Sequence, residues 1–425
     1  MTPIPSRAVG ALLSILCLVP SAVAGLSAEE QKIVAYVDAH RDEFATDLEA
    51  AVRIDSATEH LAGVREMGDF FVTKFAAIGL DARFVPLPPE TGRAGHFIAE
   101  HRGHRGKRVL LIGHLDTVFP GANWSREGNQ ANGAGVGDMK GGDVVLLHAL
   151  KALAATVGLD DTQLIVVFTG DEELPGRPIS TVRQTLRDAA ARSDVALAFE
   201  SAVGLTGTVA RRGHVSWKLV TQGVTGHSSG IFSSLDGSGS VYEAARILHE
   251  FHDELRRMDG ITANPALIVG GTPAAIAGNG GTASGKPNII AQRTEVVGDL
   301  RFISAEQLAD AQARMQAIVA RHLPRTSAEL TFNEGYPAMP PRPENYALLA
   351  QLDQVSRDLG TGAITAFDPR GRGAGDIAFV SPPLPGLDGL GLGGQGEHTA
   401  HESGDLSPAP DLIKRAALLI YRLTR

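Results

Sequence analysis

The stretch LLIGHLDTVFP, Leu110–Pro120, decides the fold, and the rest of the chain is read outward from it. Val109–Ile112 is a short apolar run with the composition of a buried strand. It halts at Gly113. Two side chains able to bind metal follow at once, His114 and Asp116. Residues two apart on an extended segment point the same way, so separate jobs for the two require the chain to bend after the strand. An isolated His-x-Asp is also a common strand cap. The metal reading needs ligands from elsewhere.

The same punctuation recurs downstream. Gly133–Gly142 reads GAGVGDMKGG. It has neither the G-x-G-x-x-G register nor the Walker lysine spacing, which argues against a nucleotide phosphate. Its glycines instead allow the backbone to crowd around Asp138. A helix is expected over 142–156, with Val144, Leu147, Leu150 and Leu153 among its apolar residues. A buried strand, Gln163–Thr169, runs into Gly170-Asp171-Glu172-Glu173. A helix over 178–192 and a strand Val195–Phe199 end at Glu200. Strand, polar loop, helix and strand again predict an α/β fold: a central, mostly parallel sheet with helices on both faces and chemistry at the strand ends.

Upstream, helices are expected over 29–44, 47–53 and 64–78, the last with Met67, Phe71 and Phe75 as a core stripe. Strands follow at 80–85, 97–101 and 108–112. The basic run Arg102–Lys107 predicts a solvated hairpin loop between the last two. After 205 the composition changes. Within 206–224, His214, Ser216 and Lys218 alternate with Val215, Trp217 and Leu219. A turn at 226–230, a helix over 240–255, a strand over 295–302 and a helix over 304–323 come next. Ser304 would cap that helix, with Gln307 closing a capping box. This grouping predicts a separate α+β domain, 209–324, inserted into a larger domain of 25–208 plus 325–425. A strand at 330–332 and helices over 344–359 and 408–421 complete the latter.

With 425 residues and 43% hydrophobic content the chain can build sizeable cores. Its net charge of −9 gives no support for nucleic-acid binding. An apolar run, Val9–Val19, precedes Ala22-Val23-Ala24, the pattern of a cleavable signal peptide over 1–24 and too short for a membrane span. Cleavage would remove Cys17, the only cysteine, so any metal site must use histidine and carboxylate. Export without disulfides predicts a periplasmic or secreted protein.

Gathered from the strand ends and the C-terminal loops, the candidates are His114, Asp116, Asp138, Glu172, Glu173, Glu200, His398 and His401. Such a set could hold two divalent ions, with imidazole leaning the choice toward zinc. The segments GHLDTVFP, GVGDMKGGDVV, TGDEELPG, AFES, TGHSSG, NII, GDLRF and EHTAHES, in that order, resemble the M20 family of metallopeptidases, particularly glutamate carboxypeptidases and related aminoacylases. The resemblance implies His114 and Glu200 on one metal, Glu173 and His398 on the other, and Asp138 bridging them. It implies Glu172 as general base and Asp116 as the carboxylate that orients His114. It makes 209–324 the lid and dimerisation domain and 25–208 plus 325–425 the catalytic metal-binding domain, with His227 of the lid reaching into the site of a second subunit of a homodimer to steady the oxyanion. Asn288 and Arg301 would hold a substrate carboxylate, although an ordinary salt bridge with Asp299 also explains Arg301.

Two departures bear on specificity. Ala291 stands where the family often has proline, and Arg370–Asp376 varies the usual glycine-serine-aspartate turn. Arg372 would be an extra anion contact, and Arg212 a weaker one. The implied function is an exported di-zinc hydrolase cleaving an amide beside a free carboxylate, with small peptides or N-acyl amino acids as substrates. The alternatives are an N-acyl-amino-acid deacylase or dipeptidase, and a noncatalytic metal-containing binding protein.

Overall fold

The computed structural model describes residues 25–425; the expected signal segment, 1–24, lies outside them. Ser27 and Glu30 form a reciprocal capping box that starts α1 (Ala28–Ala39). The chain breaks before α2 (Glu43–Val52), so the first expected helix ends five residues earlier than read and the second begins four earlier. α3 (Leu61–Ala76) carries the Met67, Phe71 and Phe75 stripe into the core. Phe71 and Phe75 meet Phe97 and Phe168 from the sheet, with neighbouring ring centroids 5.0–6.1 Å apart.

The larger sheet is built from β1 (Asp81–Pro86), β2 (Gly95–His101), β3 (Arg105–His114), β4 (Thr162–Thr169), β5 (Val195–Ala198) and a last short strand, Gly386–Leu387. Its spatial order is β1-β2-β4-β3-β5 and then 386–387. β3, β4, β5 and the last strand run parallel; β1 and β2 run antiparallel to their neighbours. The expected hairpin between β2 and β3 does not form, because β4 lies between them. The reason is burial. Leu164–Phe168 is apolar on both faces and belongs inside the sheet. The basic residues Arg105–Lys107 are the exposed start of β3 rather than a loop.

Period-two alternation divides the sheet between two cores. Val109, Leu111, Leu164 and Val166 face α1–α3 together with α4 (Lys140–Thr156), α9 (Pro343–Asp358) and α10 (Ala409–Leu423). Leu110, Ile112, Ile165 and Val167 face Ile179, Leu186 and Ile377. The helix expected over 178–192 is interrupted at Arg183, giving α5 (Ile179–Val182) and α6 (Gln184–Ala190). Arg183 turns fully inward at that break.

The inserted α+β part has its own sheet. β6 (Gly213–Gly223), β7 (Thr262–Gly271), β8 (Arg293–Phe302) and β9 (Thr326–Phe332) are ordered β7-β8-β6-β9 and wholly antiparallel. Trp217, Leu219, Val296 and Leu300 pack against Ile247 and Phe251 of α7 (Gly239–Leu255) and Met315 of α8 (Ala305–Val319). β9 pairs with β6, so this sheet extends past the boundary expected at 324. The α8 cap is half a box. Ser304 Oγ accepts from Gln307 N at 3.2 Å, but Gln307 Oε1 accepts from Ile303, one residue before the cap. Among the described residues no helix is long and apolar enough to cross a membrane.

Candidate metal centre

The candidate ligands stand where the parallel strands end. β3 delivers His114; β4 opens into Glu172 and Glu173; β5 opens into Glu200. Asp138 closes the glycine loop ahead of α4. Gly113 has a packing reason: a Cβ there would lie 1.9 Å from Asp143 Oδ1 and 2.8 Å from the Phe168 ring. Its bareness lets α4 close against the end of β3.

Asp138 is central. Its Oδ1 lies 3.1 Å from His114 Nε2, and its Oδ2 lies 3.0 Å from His398 Nε2. Glu200 Oε1 completes the first group, 4.0 Å from His114 Nε2. Glu173 Oε2 completes the second, 3.3 Å from His398 Nε2. In each trio the potential ligand atoms lie within 4.8 Å of one another, and His114, Glu172 and Glu173 form a third such group. One carboxylate presenting its two oxygens to two histidine-carboxylate pairs is the arrangement a bridged pair of cations requires. Glu173 Oε1 is buried with no hydrogen-bond partner, an orphaned acceptor that a cation would satisfy.

The electrostatics point the same way. Burial, with Glu200 close by, pushes the Glu172 carboxyl well above its ordinary range. Burial raises Glu173 to about 7 and Glu200 to about 8, the latter against the nearby Arg211 guanidinium. Burial also works against Asp138, but its bonds to His114 and His398 hold it below the ordinary range. Hydrogen bonds to Asp138 and Glu173 raise His398 to about 11. Four carboxylates thus compete for two imidazoles, and the cluster is short of positive charge. The donor set is nitrogen and oxygen throughout, which suits zinc or another divalent ion of that preference.

Most of these residues are held in place by further contacts. His114 Nδ1 bonds the main-chain carbonyl of Asp116 at 3.0 Å, whereas the Asp116 carboxylate lies 3.6 Å away. The ring is thus aimed by the Asp116 carbonyl, with the Asp116 carboxylate at ion-pair distance behind it. The Asp116 carboxylate also accepts from Glu172 N, Glu173 N and Thr58 Oγ1 at 3.0, 3.1 and 2.7 Å. It clamps the turn that carries the acidic pair. Glu402 accepts from the backbone of Gly135, Gly137 and Asp138 at 2.7–2.9 Å, pinning the glycine loop. Arg211, fully buried, bonds Asp388 and reaches Glu200 Oε2 at 3.4 Å. Only its place beside Arg212 in an otherwise apolar connector could have drawn notice in the sequence.

The remaining candidates stand outside the ligand trios. His227 is exposed, and the hydrogen bonds of its ring go to Ser229. Asn288 is beside it, accepting from Ser228 N through its main-chain carbonyl at 2.9 Å. Arg301 bonds Asp299 at 2.9 Å, as the salt-bridge alternative allowed. Arg372 is largely committed: its Nε and Nη2 donate to Thr208 Oγ1 and Ser201 O at 2.9 and 2.6 Å, and its guanidinium stacks over Phe367. Its expected role as an extra anion contact shrinks to the remaining Nη1. Arg212 spends a donor on Thr262. His401 is exposed.

This sheet, its strand-end ligands and the inserted α+β unit define a metal-dependent hydrolase. The chain belongs to Peptidase family M20/M25/M40, whose profile matches residues 110–424. It is similar to carboxypeptidase G2 of Pseudomonas sp. (strain RS-16), 26% identical over 390 residues and covering 88% of each chain. It is also 27% identical over 278 residues to acetylornithine deacetylase of Klebsiella pneumoniae (strain 342), covering 63% of this chain and 68% of that one. Among solved structures, a tripeptidase from Staphylococcus aureus subsp. aureus mu50 superposes with a TM-score of 0.67 at 18% identity, over 90% of this chain and 97% of the other. The metallo-carboxypeptidase Sso-CP2 from Sulfolobus solfataricus gives 0.65 at 14% identity, over 90% and 99%. At those identities the structures speak for the fold.

Proposed function

We propose that the protein is an exopeptidase-like amidohydrolase, closest in type to a glutamate carboxypeptidase, that cleaves an amide beside a free carboxylate. The observation that carries this reading is the pair of ligand trios sharing Asp138, with Glu172 adjoining both histidine-carboxylate groups. His114, Asp138 and Glu200 would hold one ion, and Asp138, Glu173 and His398 the other, zinc being the expected metal. Two such ions supply carbonyl polarisation and a more acidic water when bound.

The chain's own residues do the rest. Glu172 is the carboxylate left over once each trio is complete. It takes a proton from the attacking water and returns it to the departing nitrogen. Burial suits it to that exchange by raising its affinity for the proton in transit. Arg301 offers a partly exposed planar fork for a substrate carboxylate, with Asn288 as its companion. His227 would donate to the developing oxyanion of a second subunit. Dimerisation through the smaller sheet is supported by its edge strand β7, where Ile268 is exposed, and by exposed Val241 and Tyr242 on α7. Residues 1–24 support export to the periplasm or beyond.

A deacylase reading is favoured by one observation, the similarity to acetylornithine deacetylase, since the same base and ligands would serve an N-acyl amino acid. A binding protein without turnover has no need of the unspent Glu172. The test is the zinc-loaded protein against dipeptides, C-terminal glutamyl amides and N-acyl amino acids. Turnover of the glutamyl amides is expected; turnover confined to N-acyl amino acids would give the deacylase. Metal binding with no turnover at all would leave the binding protein, and full activity of Glu172→Ala would end the mechanism.

A further inference from the structure

The base turn is held from the side of the inserted sheet as well as from β3, and one buried side chain makes the link. Tyr336 is 4% exposed and lies on the connector that follows β9. Its hydroxyl donates to the main-chain carbonyl of Glu172 at 2.7 Å and accepts from Arg183 Nη2 at 2.7 Å. Arg183 in turn bonds Asp171 Oδ1 at 2.5 Å and Asp376 Oδ1 at 2.8 Å. The Glu172 peptide is therefore gripped on both sides, its N–H by Asp116 and its carbonyl by Tyr336. Its carboxylate has no hydrogen-bond partner among the described residues, so the backbone sets its aim.

The same tyrosine is where the two connectors of the inserted unit meet. His214, at the start of β6, donates its N–H to the Tyr336 carbonyl at 3.0 Å, and its ring stacks on the tyrosine ring with centroids 5.5 Å apart. Three residues away on each connector, Arg211 and Met339 exchange backbone bonds of 2.9 and 3.0 Å. Beside this junction lies a cavity of about 540 Å³. Val215, Phe302 and Ala305 of the inserted unit line it on one side, and Ile179 and Phe379 on the other. The junction has room to move on one flank and a direct bond to the base turn on the other.

We infer that Tyr336 is a positioning residue that transmits the placement of the inserted unit to Glu172. Substrate drawing that unit inward would act on the His214–Tyr336 pair, and the tyrosine hydroxyl would set the Glu172 peptide for proton transfer. The inference rests on Glu172 as base, and its test separates the two. Tyr336→Phe keeps the ring, the stacking and the main-chain pairing and removes one hydroxyl. On whichever substrate the native enzyme turns over, kcat is expected to fall about ten- to a hundredfold with KM and metal content unchanged. A kcat within twofold of the native value overturns the inference.

The link to the inserted unit is read by a double-mutant cycle. His214→Ala removes the stacking partner without touching Glu172, and its effect on kcat is expected to vanish once Tyr336 is already phenylalanine. Effects that simply multiply would overturn the coupling. If the native protein hydrolyses nothing in the panel, the functional reading fails, and the inference is judged by hydrogen exchange instead. Tyr336→Phe is then expected to speed exchange at the Glu172 and Glu173 amides about tenfold, by freeing the turn that Asp116 also holds; unchanged exchange refutes it.

Discussion

The two sheets carry functional residues in opposite states. At the ends of the larger sheet's strands, the candidate ligands or their loops have dedicated supports: a carbonyl for His114, Glu402 for the Asp138 loop, Asp116 for the acidic turn, Arg211 for Glu200; exposed His398, from a C-terminal loop, contacts only the ligands Asp138 and Glu173. On the smaller sheet, His227 bonds only its neighbour Ser229, and Arg301 only Asp299. The first set is organised before anything binds. The second is assembled by what binds to it, whether substrate or another subunit. The difference follows from burial, because a buried charge must be paired within the fold while an exposed one can wait.

The largest effect tests whether the two sets act together. Glu172→Gln is expected to lower kcat by about 10²–10⁴ with two metals retained, as measured by steady-state kinetics and metal analysis. His227→Ala is expected to cost about 10²–10³ in kcat. If His227 serves a second subunit, mixing the two inactive variants under exchange conditions recovers activity in about a quarter of the sites, since half the dimers are mixed and one site of each is whole. No recovery would place His227 within its own subunit's site or outside the chemistry altogether.

The next effect is on stability and contrasts the arginines. Arg183→Met leaves Asp171 and Asp376 buried and unpaired, so urea unfolding should show a loss of about 3–5 kcal/mol. Asp299→Ala breaks the half-exposed pair with Arg301 and should cost under about 1 kcal/mol. Equal losses would erase the distinction between the regions. Smaller again is the effect on binding: Arg301→Ala should raise KM by roughly tenfold, with kcat little changed, for substrates bearing a carboxylate, and leave it unaltered for their amides.

Legibility in the sequence follows the same divide. Strands β3, β4 and β5 were readable because burial on both faces leaves apolar runs ending in polar residues, and the ligands were readable because they stand at those ends. The order of the sheet was not: nothing local in 97–112 reveals that β4 enters between β2 and β3. Only the doubly apolar face of Leu164–Phe168 hints at it. The break at Arg183 was hidden because its partner Asp376 is 193 residues away. Asp116 has a second job that was hidden for a related reason. Its proximity to His114 is visible along the chain, whereas its grip on Glu172 and Glu173 exists only in three dimensions. Glu402 stood in a matched motif, but its three backbone donors lie some 265 residues away.

The smallest effect is a pH response that sets a carboxylate of the smaller sheet against those of the metal centre. Glu295, 3% exposed in β8, has its pKa held at about 2 instead of 4.5. Burial alone would raise it, but bonds from Lys218, the Ile276 amide and Arg293 outweigh that cost, the two cations lying at 2.8 and 2.5 Å. The unfolded chain therefore takes up the proton first as pH falls. The stabilisation is complete above about pH 4.5 and is lost progressively as pH drops toward 2. Taken whole, the shift is worth about 3 kcal/mol; both cations are about a third exposed, and solvent screening lowers the figure to about 2. Glu295→Gln should thus be less stable than the native protein by that amount at pH 7, with the gap closing near pH 2. Because Glu173 and Glu200 are shifted upward, the metal centre contributes the opposite slope, but it does so in both proteins and cancels from their difference. A gap that stays constant from pH 7 to pH 2 would mean that Glu295 is not held ionised by its partners.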